Sequence, residues 1–545
     1  MKRIFALLIA AAMLLSLSAC SDGRNAALYF PISGTPSTVD PQFTQSHTAD
    51  LIINNVFEGL VRYNEEGEIG PGVAESWDVS SDGTVYTFHL RPDAVWKPVK
   101  KVNTAVLGED YGKDFEDFPT AVTAADFVFA FRRAVDPATM CPHANEFFII
   151  KNAEAIYNGD AAKEDLGVRA ADEHTLVIEL NGPAVDLLDR LTHSAFMPCN
   201  ELYFTLTGGR YGLTSTYLLG NGPFYVGAWE DNKTVTLSRN NDYHGDSPVN
   251  PASVTLSVSR DVAAIADKLS LGTYCGYAFT NADDAPEENV TALPVEDTVY
   301  GFCFNCKDEI MMNENIRLAF CSCIKRMDYE LPPSMTAFCK SIVPGCCTVG
   351  SLNYADTVYS QLNTVSLSTG NALLFWDAGL KELEKTKLNL TLLCEERFAP
   401  AMRKQLQMWQ QTLGVNLAVT VQTMDNASLE QALAKGEYQF AFAPIHADYT
   451  STASYLESFC TNAGGNVFGH TATEYDAIVA EIMKASNQQD SLNACFTADT
   501  YLSSHGIYYP LFCSSTVFAV SDEISGLVFS ASGDTVSFQW VVTND

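Results

Sequence analysis

Leu388-Asn389-Leu390-Thr391-Leu392-Leu393-Cys394 is an apolar run of strand length, and it opens the stretch that decides the fold. From Ala399 to Leu413 the apolar residues recur at helical spacing, and Val415 to Val421 then alternates as a second strand. A second crossover runs through a helix from Leu429 to Lys435 into a strand from Tyr438 to Ala443. Strands separated by helices predict parallel pairing, because parallel neighbours must be joined by a crossover. The fold class is therefore α/β, with helices laid on a sheet.

Toward the N-terminus the order is mixed. Ala27 to Phe30 reads as a strand, broken by Pro31, Gly34 and Pro36 before Leu51 to Leu60 resumes at helical spacing. Trp77-Asp78-Val79 and Tyr86 to Leu90 alternate around Ser81-Asp82-Gly83, a hairpin pattern. Thr123 caps a helix from Ala124 to Val135, with Asp126 placed to complete a capping box. Further strands are expected at Thr175 to Leu180, Phe224 to Trp229 and Thr234 to Ser238, and helices at Val262 to Ser270 and Asn315 to Arg326. Lys97 to Pro119 is charged and poorly periodic, so it reads as a surface excursion.

At 545 residues the chain exceeds what one core accommodates. Its 47% hydrophobic and 18% charged content exclude extended disorder. The net charge of -33, from 33 basic against 66 acidic residues, repels phosphate backbones and disfavours nucleic acid as a partner. No H-E-x-x-H, G-x-S-x-G, P-loop or paired-carboxylate pattern occurs, and the nine histidines are scattered. Gly220-Asn221-Gly222 is followed by Pro223 and a strand, not by the helix N-terminus a phosphate loop requires. The chain reads as no enzyme and calls for no cofactor.

Lys2 and Arg3 precede an apolar run from Ile4 to Leu15, too short to cross a hydrocarbon core of ~30 Å but suited to a signal peptide over residues 1–19. Leu17-Ser18-Ala19-Cys20 resembles the bacterial lipobox, which implies an acylated Cys20, a tether over residues 20–26 and a membrane-anchored, extracytoplasmic protein. Apart from Cys20 there are fourteen cysteines among the fifteen, an even number in an exported protein. A chain this long needs no staples, and Cys321 and Cys323 fall on an apolar helix where cysteine acts as a small hydrophobe. Cys303 and Cys306 form a C-x-x-C without a second pair. Free buried thiols are expected, with disulfides or a metal site as the alternatives.

Several blocks carry a family resemblance by their order. They are Val39-Asp40-Pro41-Gln42, Asn54 to Val61, Pro71 to Trp77, Asp82 to Arg91, Val122 to Val128, Arg132 to Pro137, Leu166 to Ala170 and Asn221-Gly222-Pro223-Phe224. Over nearly the whole mature chain the sequence resembles the peptide- and nickel-binding solute-binding lipoproteins of ABC importers, the oligopeptide- and dipeptide-binding lineage. The resemblance implies a two-lobed periplasmic-binding-protein-like clamp of type II, in its three-domain form, with mixed sheets and a hinge. Domain I would join residues 27–64, 178–280 and 515–545, domain II would span 65–177 with an insertion at about 97–119, and domain III would span 281–514. It also implies a monomer that closes on an extended peptide paired like an added strand and passes it to an ABC permease.

Gly436 to Phe440 with Ala447-Asp448-Tyr449 resembles the strand and turn where the family places a carboxylate for the peptide's α-ammonium. Asp448 is thereby the expected anchor, with Tyr449 and His446 beside it, or else a cap on the turn into the next helix. Relatives carry Gly and an aromatic before this turn, whereas Pro444-Ile445-His446 stand here, and Pro444 has no N–H to give a ligand strand. Val299 to Asn305 resembles the strand lining the family's cleft, making Tyr300 and Phe302 either pocket walls or plain sheet packing. Asn221 matches a turn of mostly architectural role. His47 faces the cleft or sits on the surface. A nickel chelate, haem or a glycoside as ligand, or a sensory role, remain rivals within this fold, and a secreted hydrolase or adhesin a rival outside it.

Overall fold

A computed structural model describes residues 25–44, 46–97, 120–184, 186–245, 248–324, 335, 338–350, 352–362, 369–447, 450–461, 463, 465–485, 487–529 and 536–544. The signal peptide, Cys20, all of the expected insertion but Lys97, and Asp448-Tyr449 lie outside the described residues.

In the first lobe the elements are β1 (Ala27–Ile32), α1 (His47–Val56), β2 (Ala74–Val79), β3 (Val85–Leu90), α2 (Ala124–Val135), β4 (Val168–Asp172), β5 (Thr175–Glu179), α3 (Leu187–Arg190), β6 (Phe224–Glu230), β7 (Thr234–Arg239) and β8 (Ser253–Val258). One sheet runs β1-β8-β7-β6, with β1 parallel to β8 and the rest antiparallel. The other runs β2-β3-β5-β4 and is antiparallel throughout. Their inner faces share one apolar core, reaching from Leu28 to Cys275 and joined by Ile524, Val536, Phe538 and Val541.

The second lobe follows with β9 (Gly276–Phe279), β10 (Val290–Phe304), α4 (Glu314–Ser322), β11 (Leu388–Glu395), α5 (Ala399–Leu413), β12 (Leu417–Met424), α6 (Asn426–Lys435), β13 (Phe440–His446), α7 (Thr452–Glu457), α8 (Gln488–Ser504) and β14 (Tyr508–Ser521). Its sheet has the order β9-β14-β10-β13-β11-β12. β11 is parallel to β12 and to β13, as the crossovers predict, and β10 is antiparallel to both of its neighbours. Alternation along β10 feeds a core on each face, Val299 and Cys303 on one side and Tyr300, Phe302 and Phe304 on the other. β10 and β14 are long enough to run beyond this lobe into a small cluster with Ile265, Leu269 and Phe279. Their register shifts between Val295 and Thr298, where the buried Asp297 accepts a hydrogen bond from Thr516 N at 3.2 Å.

Helices at Ala124–Val135, Val262–Ser270 and Ala399–Leu413 match the sequence reading end to end. The helix expected over Leu51 to Leu60 instead ends at Val56. There Glu58 N donates to Asn221 Oδ1 at 3.0 Å, and Asn221 Nδ2 donates to Glu58 O at 2.9 Å. A turn distant in sequence thus takes over the backbone groups that another helical turn would have used. Gly222 permits the approach, since a Cβ there would stand 2.7 Å from the Val56 carbonyl carbon. The helix expected to Arg326 stops at Ser322.

Two of the family-like blocks are tied directly. Arg133 donates to both carboxylate oxygens of Asp40, at 3.3 and 2.7 Å, and to Gln42 Oε1 at 2.7 Å, while its guanidinium lies 4.0 Å from the centre of the Phe204 ring. All fourteen cysteines after Cys20 are free, and all but Cys306, Cys346 and Cys460 are buried. Burial pushes thiols such as Cys141 and Cys275 up to about 12, so they pack as hydrophobes. Among the described residues, no group of three or more His, Cys, Asp or Glu could hold a metal ion.

Candidate functional site

The lobes meet where α3 and the residue before it face the turn Thr450-Ser451 and α7. Arg190, at the end of α3, is completely buried. Its Nε donates to Asp186 Oδ2 at 2.9 Å, Nη1 to Glu146 Oε2 at 2.9 Å and Nη2 to Glu457 Oε2 at 2.7 Å. Glu457 belongs to the second lobe, so one guanidinium fastens both halves. Ser451 and Ser454 add hydroxyl donors to Asp186 Oδ2 at 3.1 and 3.2 Å. Burial opposes the charge on Asp186, but Arg190 and these hydroxyls outweigh it and hold the carboxyl below its usual range. Asp189 behaves oppositely. Burial, and then the charge of Asp186, push it up to about 6, against the pull of Thr450, Arg190 and the Ser451 amide. Thr450 Oγ1 donates to Asp189 Oδ1 at 3.2 Å.

Three cavities follow the seam. The largest, about 860 Å³, lies among Phe43, Thr44, Ser46, Met140 and Phe148, with Ala463 from the other lobe. Another of about 460 Å³ opens between Asn145, Asn181 and Ala184 on one side and Glu457, Thr461 and Asp476 on the other. The third, about 290 Å³, is lined by Asp186 and Asp189 from one lobe and by Thr348, Thr450 and Ser451 from the other. Clefts of this scale between lobes are the usual setting for a small ligand.

The sequence-predicted residues distribute unevenly about this seam. Asp448 and Tyr449 lie outside the described residues, and the described residues on either side of them are bonded within the second lobe. Ala447 N donates to Asp297 O at 2.9 Å, and Thr348 N donates to Thr450 O at 2.6 Å. His47 opens α1 and is exposed, directly after the cavity-lining Ser46. His446 stands at the exposed end of β13, its Nδ1 2.8 Å from Thr298 Oγ1. Asn221 sits in the first lobe's interior against Glu58. Phe302 is fully buried against Trp409 and Phe442. Tyr300 is buried too, yet its hydroxyl accepts from Arg397 Nη2 at 2.7 Å and lies 3.3 Å from Glu395 Oε1. That places Tyr300 at the carboxyl ends of the parallel strands β11 and β13, the side of an α/β sheet where ligands bind.

Around the same strand ends the ladder is incomplete. β11 pairs with β13 only from Leu392/Phe440 to Cys394/Phe442, leaving residues 443–446 without a described partner on that side. Tyr300 lies opposite Pro444 on the other side. Arg190, Asp186, Asp189, Glu146 and Glu457 went unread in the sequence. The i,i+4 pair of Asp186 and Arg190 is a local signal, but it is indistinguishable from a surface ion pair until its distant partners are known.

Residues 68–328 match the model of the bacterial extracellular solute-binding proteins, family 5 middle region. The dipeptide-binding protein DppE of Bacillus subtilis is 24% identical over 527 residues, covering 95% of this chain and 92% of the relative. The periplasmic oligopeptide-binding protein OppA of Haemophilus influenzae is 25% identical over 492 residues, 88% of this chain and 86% of the relative. A crystal structure of Haemophilus influenzae OppA in complex with RPPGFSPFR superposes with a TM-score of 0.74 at 22% identity, covering 96% of this chain and 100% of the other.

Proposed function

We propose, from the premise that this chain belongs to the bacterial extracellular solute-binding proteins of family 5, that it captures peptides by lobe closure and delivers them to an ABC permease. The observation that carries the reading is the stretch of β13 over residues 443–446, which has no described strand partner on the β11 side, in a lobe that meets the other at the Arg190 seam. A strand edge recognises main chain regardless of side chains, which suits a peptide binder, and cavities beside it receive side chains. Pro444 removes one donor from that edge, so pairing runs through its remaining amides and carbonyls.

In this reading Asp448 takes the peptide's α-ammonium in a charge-assisted hydrogen bond, Tyr449 and His47 flank it, and Tyr300 lines the strand ends with Arg397. The relatives' printed names describe periplasmic and peptide-binding proteins, which supports an extracytoplasmic location. In this reading the protein is a monomer held to the membrane by acylated Cys20. The three-domain division given above belongs to the same reading. Native mass spectra of the protein from Ser21 onward, before and after mild denaturation, test it. Released masses of short peptides are expected, with Asp448→Ala retaining fewer. A non-peptide mass alone would replace peptides by another small solute.

A further inference from the structure

The smallest seam cavity is closed by both lobes, and its polar groups are satisfied unequally. Asp186 has Arg190, Ser451 and Ser454 as donors. Asp189 has the Thr450 hydroxyl on Oδ1 at 3.2 Å, the Tyr63 hydroxyl at 3.5 Å and the pull of the Ser451 amide, but its Oδ2 is buried and makes no hydrogen bond among the described residues. A buried carboxylate oxygen without a donor is strongly unfavourable unless something from outside completes it. The described lining of the cavity contains Ser and Thr hydroxyls but no Lys or Arg. Arg190, the cation paired with Asp186 among the described residues, has its three guanidinium nitrogens bonded to Asp186, Glu146 and Glu457.

We propose that this cavity is a subsite for a cationic side chain of the bound peptide, a lysine ammonium or arginine guanidinium that donates to Asp189 Oδ2 as the lobes close. The inference rests on the peptide reading above and narrows its substrate class. Locally, one guanidinium stands against Asp186, Asp189, Glu146 and Glu457, so an arriving cation relieves a surplus of negative charge. Burial first, and then the charge of Asp186, raise the proton affinity of Asp189, so only the second of these causes reflects that surplus. An aliphatic side chain of equal length would leave Oδ2 without a donor, and an acidic one would add repulsion. About 290 Å³ holds a long side chain with ordered waters, each taking about 30 Å³. Thr450 and Ser451, from the second lobe, reach the same two carboxylates only when the lobes meet, so the subsite exists in the closed form.

The test is calorimetric titration of the ligand-stripped protein from Ser21 onward with five-residue alanine peptides. They carry lysine or norleucine at each position in turn, with free and acetylated N-termini. At one position lysine should bind about tenfold or more tighter than norleucine. That preference should survive acetylation and fall to within about twofold in Asp189→Asn. Equal affinities at every position overturn the subsite while leaving the peptide reading standing. A preference lost on acetylation assigns the donor to the α-ammonium and overturns the side-chain assignment. A preference kept by an Asp189→Asn protein that melts like wild type overturns the role of Asp189. If no peptide binds folded wild type, the peptide reading fails and the subsite with it.

Discussion

Phe302 and Arg190 are both wholly shielded from solvent, yet they hold the molecule in opposite ways. Phe302 sits inside the second lobe with ring centroids 5.2 Å from Trp409 and 5.3 Å from Phe442, in contacts that are apolar and lie within one body. Arg190 lies between bodies and binds through charge. Aromatic burial is a net gain that needs no matching partner geometry. A buried ion network loses much of its Coulomb attraction to desolvation, so its net worth is small while its geometry is demanding. In the proposed reading the lobes stay intact while the seam is near balance, so that a ligand shifts the equilibrium between open and closed forms.

The contrast can be broken most forcefully at its apolar end. Trp409→Ala should remove about 4 kcal/mol from the second lobe, seen as a lowered urea midpoint. Arg190→Met keeps the stem but leaves Asp186, Glu146 and Glu457 without their cation. The closed form should lose about 3 kcal/mol, read as a larger radius of gyration in solution scattering and weaker peptide binding. Unchanged scattering and affinity would show that the seam is not the clasp.

Asp499 sharpens the comparison, being a titratable group placed inside the second lobe. Burial pushes it up to about 6, although Ser341 Oγ at 2.7 Å, Ile342 N at 3.1 Å and Tyr354 OH at 3.0 Å all donate to it. Its folded value lies above the unfolded one, so its stabilising share is complete below about pH 4 and is lost as the pH rises through about 6. Over that window Asp499 should lower unfolding free energy by about 3 kcal/mol, and Asp499→Asn should lack that slope in denaturation at stepped pH. At the small end, Ser454→Ala removes one donor to Asp186. A loss of about 1 kcal/mol in ligand affinity is expected, with the urea midpoint unmoved.

Much of this was legible from the chain alone. Residues 388 to 446 carry their periods openly, because apolar residues recur at strand spacing in Leu388 to Cys394 and Val415 to Val421 and on one stripe of the helix between them. The parallel pairing of β11 with β12 and β13 follows from that order, and the ends of α2 and α5 follow from local caps and turns. What only the tertiary structure decided is where local preference yields to a distant partner. α1 ends at Val56 because Asn221, brought there by the fold, takes the Glu58 backbone. Arg190 finds Glu146 and Glu457 at sequence separations of 44 and 267, and Asp189 is left facing a cavity because Asp186 takes the nearer cation. Hydrophobic period is a property of neighbours along the chain and can be read there. Charge pairing across a seam is a property of neighbours in space, and it exists only once both lobes have formed.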